Sequence, residues 1–122
     1  ARAPVTMSEE LFAALDHLAA TSAVVIDRPR GSAHPRYPDA IYPLDYGYLD
    51  DTFSADGDGI DLFRGSAVGN GVVAVAVIAD IVKKDVEVKI LLECTAPEID
   101  TATAFLLDVL GLGTTVLRSA VS

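Results

Sequence analysis

Tyr42-Pro43-Leu44-Asp45-Tyr46-Gly47-Tyr48-Leu49, a short loop, and then Asp56-Gly57-Asp58-Gly59-Ile60-Asp61 form the most informative stretch of this chain. The glycines let the backbone turn so that neighbouring carboxylates converge. Converging like charges repel unless a cation neutralises them. Aspartate oxygens without imidazole or thiolate beside them favour a hard ion, Mg²⁺ over Zn²⁺. Taken alone, an aspartate-rich loop also reads as a solvated turn.

The wider charge distribution supports a site. Between Arg36 and Arg64 there is no Lys or Arg, and the stretch holds seven aspartates: Asp39, Asp45, Asp50, Asp51, Asp56, Asp58 and Asp61. Six of the nine basic residues fall in two clusters, Arg28/Arg30/Arg36 and Lys83/Lys84/Lys89. Acids that hold a metal, bounded by guanidinium and ammonium groups, suit an anion with several oxygens, such as phosphate or diphosphate. No run of ligands ends in glutamate as a calcium loop requires. One cysteine and two distant histidines, His17 and His34, argue against zinc.

Outward from this centre the periodicities give an α+β domain with a mainly antiparallel sheet. A first helix opens at Ser8-Glu9-Glu10, with Leu11, Phe12, Leu15, Leu18 and Ala19 as its apolar stripe and His17 off it. Strands are expected at residues 23–27, 44–49, 60–65, 72–82 and 85–94, and a last one at 114–117. Gly31 and four prolines (Pro29, Pro35, Pro38, Pro43) exclude a regular element at 28–43. Gly69-Asn70-Gly71 and Lys83-Lys84 mark turns. Alternation in the fifth strand sets Val86, Val88 and Ile90 against Asp85, Glu87 and Lys89, which on periodicity makes Lys89 the exposed half. A second helix spans 97–111, opened by Pro97 and closed by Gly111.

The 122 residues suit one domain, 1–122, and just over half of them are apolar. A net charge of -9 disfavours nucleic acid and anionic membranes as partners. Residues 1–4 lead into an acidic segment rather than an apolar leader, so none is expected. The longest apolar run, from Val72, stops at Asp80, short of the roughly 20 residues a membrane span needs. Cys94 has no partner for a disulfide, which fits a cytoplasmic setting.

The order and spacing of Y-P-x-x-Y-G-[FY]-[IL] followed by D-G-D-x-x-D resemble the soluble (family I) inorganic pyrophosphatases. Val24-Val25-Ile26-Asp27-Arg28-Pro29-Arg30-Gly31-Ser32 is similar to the family's preceding segment. Residues 26–39 and 85–91 resemble the wording of a short bacterial subgroup. The resemblance covers roughly residues 22–94.

It implies an OB-like five-stranded barrel with an N-terminal and a C-terminal helix, and Mg²⁺-dependent hydrolysis of diphosphate to two phosphates, Mn²⁺ being the alternative metal. By position it makes Asp56, Asp58 and Asp61 central metal ligands, with Asp80 and Glu87 as further ones. Lys89 and Arg36 would contact phosphate, Tyr46 and Tyr42 would match the family's tyrosines, and Arg28 or Arg30 would replace a lost arginine. Two Mg²⁺ ions would activate a water for in-line attack, with Asp56 or Asp58 as the proton acceptor.

The chain departs from the family at Pro38, where an active-site glutamate is usual, and at Gly59, usually proline. An Asp-Arg pair and the C-terminal phosphate-binding residues are also missing. Two alternatives follow: hydrolysis of a small organic diphosphate, or a non-catalytic metal- or phosphate-binding relative. Taken without the resemblance, the tyrosines read as core or edge aromatics, Asp80 as a strand exit and His34 as a loop residue. Uncovered apolar surface would favour a homo-oligomer, with Phe105, Leu106, Val109 and Leu110 as a contact face or as core.

Overall fold

The structure, a computed structural model, describes residues 7–120. Residues 1–4, read above for a leader, lie outside them. The elements are α1 (Met7–Ala20), β1 (Val24–Arg28), β2 (Asp45–Leu49), β3 (Ile60–Arg64), β4 (Val72–Asp80), β5 (Asp85–Leu92), α2 (Ala96–Ala104) and β6 (Gly113–Arg118). A π-helical turn, Phe105–Val109, continues α2. The protein is α+β, as its periodicities imply.

The strands form a single sheet in the order β1-β2-β3-β5-β4-β6. Every ladder is antiparallel except β3 with β5, which is parallel with Leu62 opposite Ile90. Against the five-stranded OB-like barrel expected, the described strands form a six-stranded, mostly antiparallel sheet that is not closed. The reason lies at β4. Its two edges are taken by β5 and, over Ala74 to Ala79, by β6, so no edge there is left for β1 to close against.

Apolar residues fill both faces of the sheet. On one, Leu49, Leu62, Val75 and Ile90 pack with Phe12, Leu15 and Ala19 of α1. Leu11 and Leu18, expected in that stripe, are its exposed flanks. Asp16 fastens the helix, accepting from the Val72 N–H at 2.8 Å. On the other face, Phe63, Ala74, Ala76, Ile78 and Leu91 pack beneath Ile99, Ala102, Phe105 and Leu106. Each fully buried Leu or Ile contributes about 1.5–3 kcal/mol. Phe105 and Leu106 thus belong to the core.

α2 begins with a capping box. Thr95 accepts from the Glu98 N–H, and the Glu98 carboxylate accepts from the Thr95 N–H. The helix expected to continue to Gly111 widens at Phe105 instead, where the Leu110 N–H reaches back to the Phe105 carbonyl at 3.0 Å. The proline-rich segment between β1 and β2 folds on itself through the Ala33–Ile41 bridge and the His34 N–H bond to the Ala40 carbonyl at 2.8 Å.

At Gly47 the β1 backbone leaves no room for a side chain. A Cβ there would stand 1.8 Å from the Val25 carbonyl oxygen, where β1 is bulged. Gly47→Ala should therefore lower stability by about 3 kcal/mol, the upper end of overpacking costs, as read from urea unfolding. A loss below about 0.5 kcal/mol would show that β1 moves aside freely.

Candidate functional site

The parallel β3–β5 pair sets the start of β3 beside the middle of β5. Leu62 faces Ile90, so Asp61, one residue earlier, comes beside Lys89. Tyr46 stands opposite Phe63 on the neighbouring ladder and turns its phenol toward the same point. The Lys89 ammonium donates to the Tyr46 hydroxyl at 2.7 Å and to Asp61 Oδ2 at 3.3 Å. It also pairs with Glu87 Oε1 at 3.3 Å. Tyr46 in turn donates to Asp61 Oδ2 at 3.0 Å.

Lys89 is only 6 % exposed. The exposed position expected from strand alternation is reversed: Val86 and Val88 face solvent while Lys89 is inside. The valine face of the hairpin lies outside the apolar cluster beneath α1, whereas the opposite face meets three oxygen acceptors. An ammonium can be buried where its hydrogens are answered in this way. Burial, and then the adjacent Asp61 carboxylate, push the Tyr46 phenol far above its ordinary range. Tyr46 is therefore a neutral donor.

This network forms the inner wall of a cavity of about 530 Å³. Arg28, Arg36, Tyr42, Asp56, Asp58, Asp80 and Glu87 line the same space. Arg28 Nη1 donates to the Tyr42 hydroxyl at 2.6 Å, and its guanidinium lies over the rings of Tyr42 and Tyr46 at 5.6 and 5.4 Å from their centroids. Asp56 accepts from the Ser54 hydroxyl and from the Asp58 N–H, and these bonds hold its carboxyl below the usual range. Asp80 Oδ1 accepts from the N–H groups of Val82 (3.0 Å) and Lys83 (3.1 Å), which fixes the hairpin turn at the cavity edge.

Arg30 is the exception among the residues selected from sequence. Its N–H is bound by Asp45 Oδ1 at 2.9 Å, and it lines a separate hollow of about 140 Å³ with Asp45 and Arg64. The sequence reading did not select His34, Tyr37 or Leu112, which also line the main cavity; Lys83 it read only as part of a basic cluster and a turn, and Phe105 and Leu110 as a contact face or core. Only the ring-rich composition of residues 34–48 hinted at the first two.

Among the described residues, no three His, Cys, Asp or Glu side chains gather closely enough to hold a metal ion by themselves. Also among them, no helix is long and apolar enough to cross a membrane. Cys94 is buried, and burial pushes its thiol up to about 12, which leaves it protonated and unreactive. Compared with known proteins, the chain matches no family model, no curated protein and no solved structure.

His34 Nδ1 accepts from the N–H groups of Arg36 (3.0 Å) and Tyr37 (3.3 Å). Partial burial, and then the charges of Arg28 and Arg36, hold the imidazole below its ordinary range. A folded-state pKa lowered in this way gives stability that is present above the ordinary imidazole pKa and lost as pH falls through the lowered value. An NMR titration of the His34 ring should show a midpoint below that of an unfolded peptide carrying the same segment. The Arg36 and Tyr37 amide resonances should move with it. A midpoint at or above the peptide value would contradict the arrangement.

Proposed function

We propose that the cavity hydrolyses a phosphoanhydride with Mg²⁺, inorganic diphosphate being the plain substrate and two phosphates the products. The observation that carries this is convergence. Except for Arg30, every residue picked out by the pyrophosphatase-like motifs lines one cavity, although they span Arg28 to Lys89 in the chain. The same reading takes β1 to β5 as an OB-type scaffold that β6 extends.

The donor set fits the metal. Asp56, Asp58, Asp61, Asp80 and Glu87 offer carboxylate oxygens on one cavity. Mg²⁺ keeps several waters and takes one or two carboxylates plus substrate phosphates, so a closed protein cage is not required. Bound there, it would neutralise phosphate oxygens and make water a better nucleophile.

The chain's own groups supply the rest. Arg28 and Arg36 bring guanidinium charge to the anion. Lys89, its hydrogens already held by Tyr46, Asp61 and Glu87, acts through its charge and offsets the charge that develops on the departing phosphate. Neutral Tyr46 keeps Lys89 and Asp61 in place. Asp56, an exposed carboxylate held ionised, accepts a proton from the attacking water. Water adds to one phosphorus, the bond from it to the bridging oxygen breaks, and that oxygen leaves on the second phosphate.

A cytoplasmic setting and self-association belong to the same reading. The second is supported by Val77, Val86, Val88 and Leu117, which are exposed on the sheet face that α1 only partly covers.

Phosphate release from diphosphate with Mg²⁺ tests the proposal. Asp56→Asn, at an exposed position, should lower kcat/KM by about a hundredfold with the fold intact. Lys89→Met should lower it by a similar factor, since one positioned donor is worth about 10²–10³ in kcat. Removing one partner of a buried ion pair is destabilising in itself, so circular dichroism must show Lys89→Met folded for the loss to count. Asp61 and Glu87, each about a third exposed, keep their charges in contact with water. A folded wild-type protein that releases no phosphate with Mg²⁺ or Mn²⁺ would sink the diphosphatase reading.

A further inference from the structure

The cavity is larger than its charged groups require. Its volume of about 530 Å³ falls in the range of sites that enclose organic ligands, about 300–1,000 Å³. Lys89, Tyr46 and Asp61 form one part of its lining. Besides the charged groups the lining is ring-bearing and aliphatic, with His34 and Tyr37 from the proline-rich loop and Leu110 and Leu112 from beyond the π-helical turn. Such a wall gives nothing to a bare diphosphate.

The rings form a graded series. Tyr46 packs on Phe63 in the core, Tyr42 on Tyr46 and His34 on Tyr42, with the last pair stacked at 5.9 Å and 10°. Tyr37 ends the series, 5.0 Å from His34, and is 53 % exposed. Inner members of the series are covered by one another, whereas Tyr37 lines the cavity with much of its ring uncovered. The loop holds it there through the His34 Nδ1 bond to its N–H and its carbonyl bond to the Ala40 N–H at 2.9 Å. An exposed aromatic fixed in a concave anion site is a stacking platform for a planar ring.

From this we infer that the ligand is a nucleoside phosphate whose base stacks on Tyr37 beside His34 while its phosphates reach Arg28 and Lys89. The inference rests on the phosphoanhydride reading and narrows its substrate to a nucleoside diphosphate or triphosphate. In the diphosphate, water adds to the terminal phosphorus, the anhydride P–O bond breaks, and nucleoside monophosphate, phosphate and a proton leave.

Binding of adenosine monophosphate tests the base contact without turnover, because it contains no anhydride. Calorimetry on the whole chain with Mg²⁺ should give a Kd about tenfold or more below that of ribose 5-phosphate, which lacks only the base. Tyr37→Ala should bring the two within about threefold, and Tyr37→Phe should restore the gap. Equal binding of the two ligands, or a five-carbon alkyl phosphate binding as tightly as adenosine monophosphate, would overturn the inference. The second result would identify an aliphatic ligand. A preserved base preference without phosphate release from either inorganic or adenosine diphosphate would refute the hydrolase reading while leaving the nucleoside site standing.

Discussion

The ammonium of Lys89 is the constraint around which the rest of the site is arranged. Removing such a group from water costs several kcal/mol unless its hydrogens are answered. Here the answers come from Tyr46, Asp61 and Glu87, contributed by β2, β3 and β5. The register of the β2–β3 and β3–β5 ladders brings them together, the second being the one parallel ladder among the described residues. A one-residue slip would turn Asp61 and Lys89 to opposite faces and strand the charge. The pairing register and the polar network therefore specify each other.

The cavity around that point combines two kinds of chemistry. Its charged residues are of both signs, and mutual compensation lets acids and cations coexist there. Its rings and aliphatic side chains come largely from a proline-rich loop and an interrupted helix. Proline and the Ala33–Ile41 bridge hold the loop in a fixed path, so His34 and Tyr37 are presented without a strand or helix of their own. The π-helical turn widens α2 where Leu110, Gly111 and Leu112 reach the cavity. Both departures from regular structure fall beside the candidate site, a common place for such features.

Much of this was legible in the chain. The elements follow from period and punctuation: the apolar spacing of α1, the glycine turn before β4, the lysine turn before β5, and Pro97 with Glu98 at the start of α2. The carboxylates and cations were legible as a group because charge is so unevenly distributed between Arg36 and Arg64. The motif spacing selected Tyr42, Tyr46 and Lys89; the two tyrosines are also the core aromatics that the residues alone implied, whereas Lys89 is buried where periodicity favoured exposure. Arg30 lies apart from the cavity, and nothing local in the sequence records that Asp45 holds its N–H.

The sequence by itself determined the α+β class, the element boundaries to within a few residues and the uneven distribution of charged side chains, since these depend on local propensity, alternation and composition. Tertiary structure alone decided how many strands share the sheet, which face of β5 is buried and which rings meet the charged groups. β6 reaches the edge of β4 only after α2 and the π-helical turn have reversed the chain, and no local pattern specifies that reach. Alternation likewise distinguishes two faces of β5 without saying which one will be covered. Where α1 ends and where the parallel ladder places Asp61 settle that choice, and contacts so distant along the chain leave no periodic trace in it.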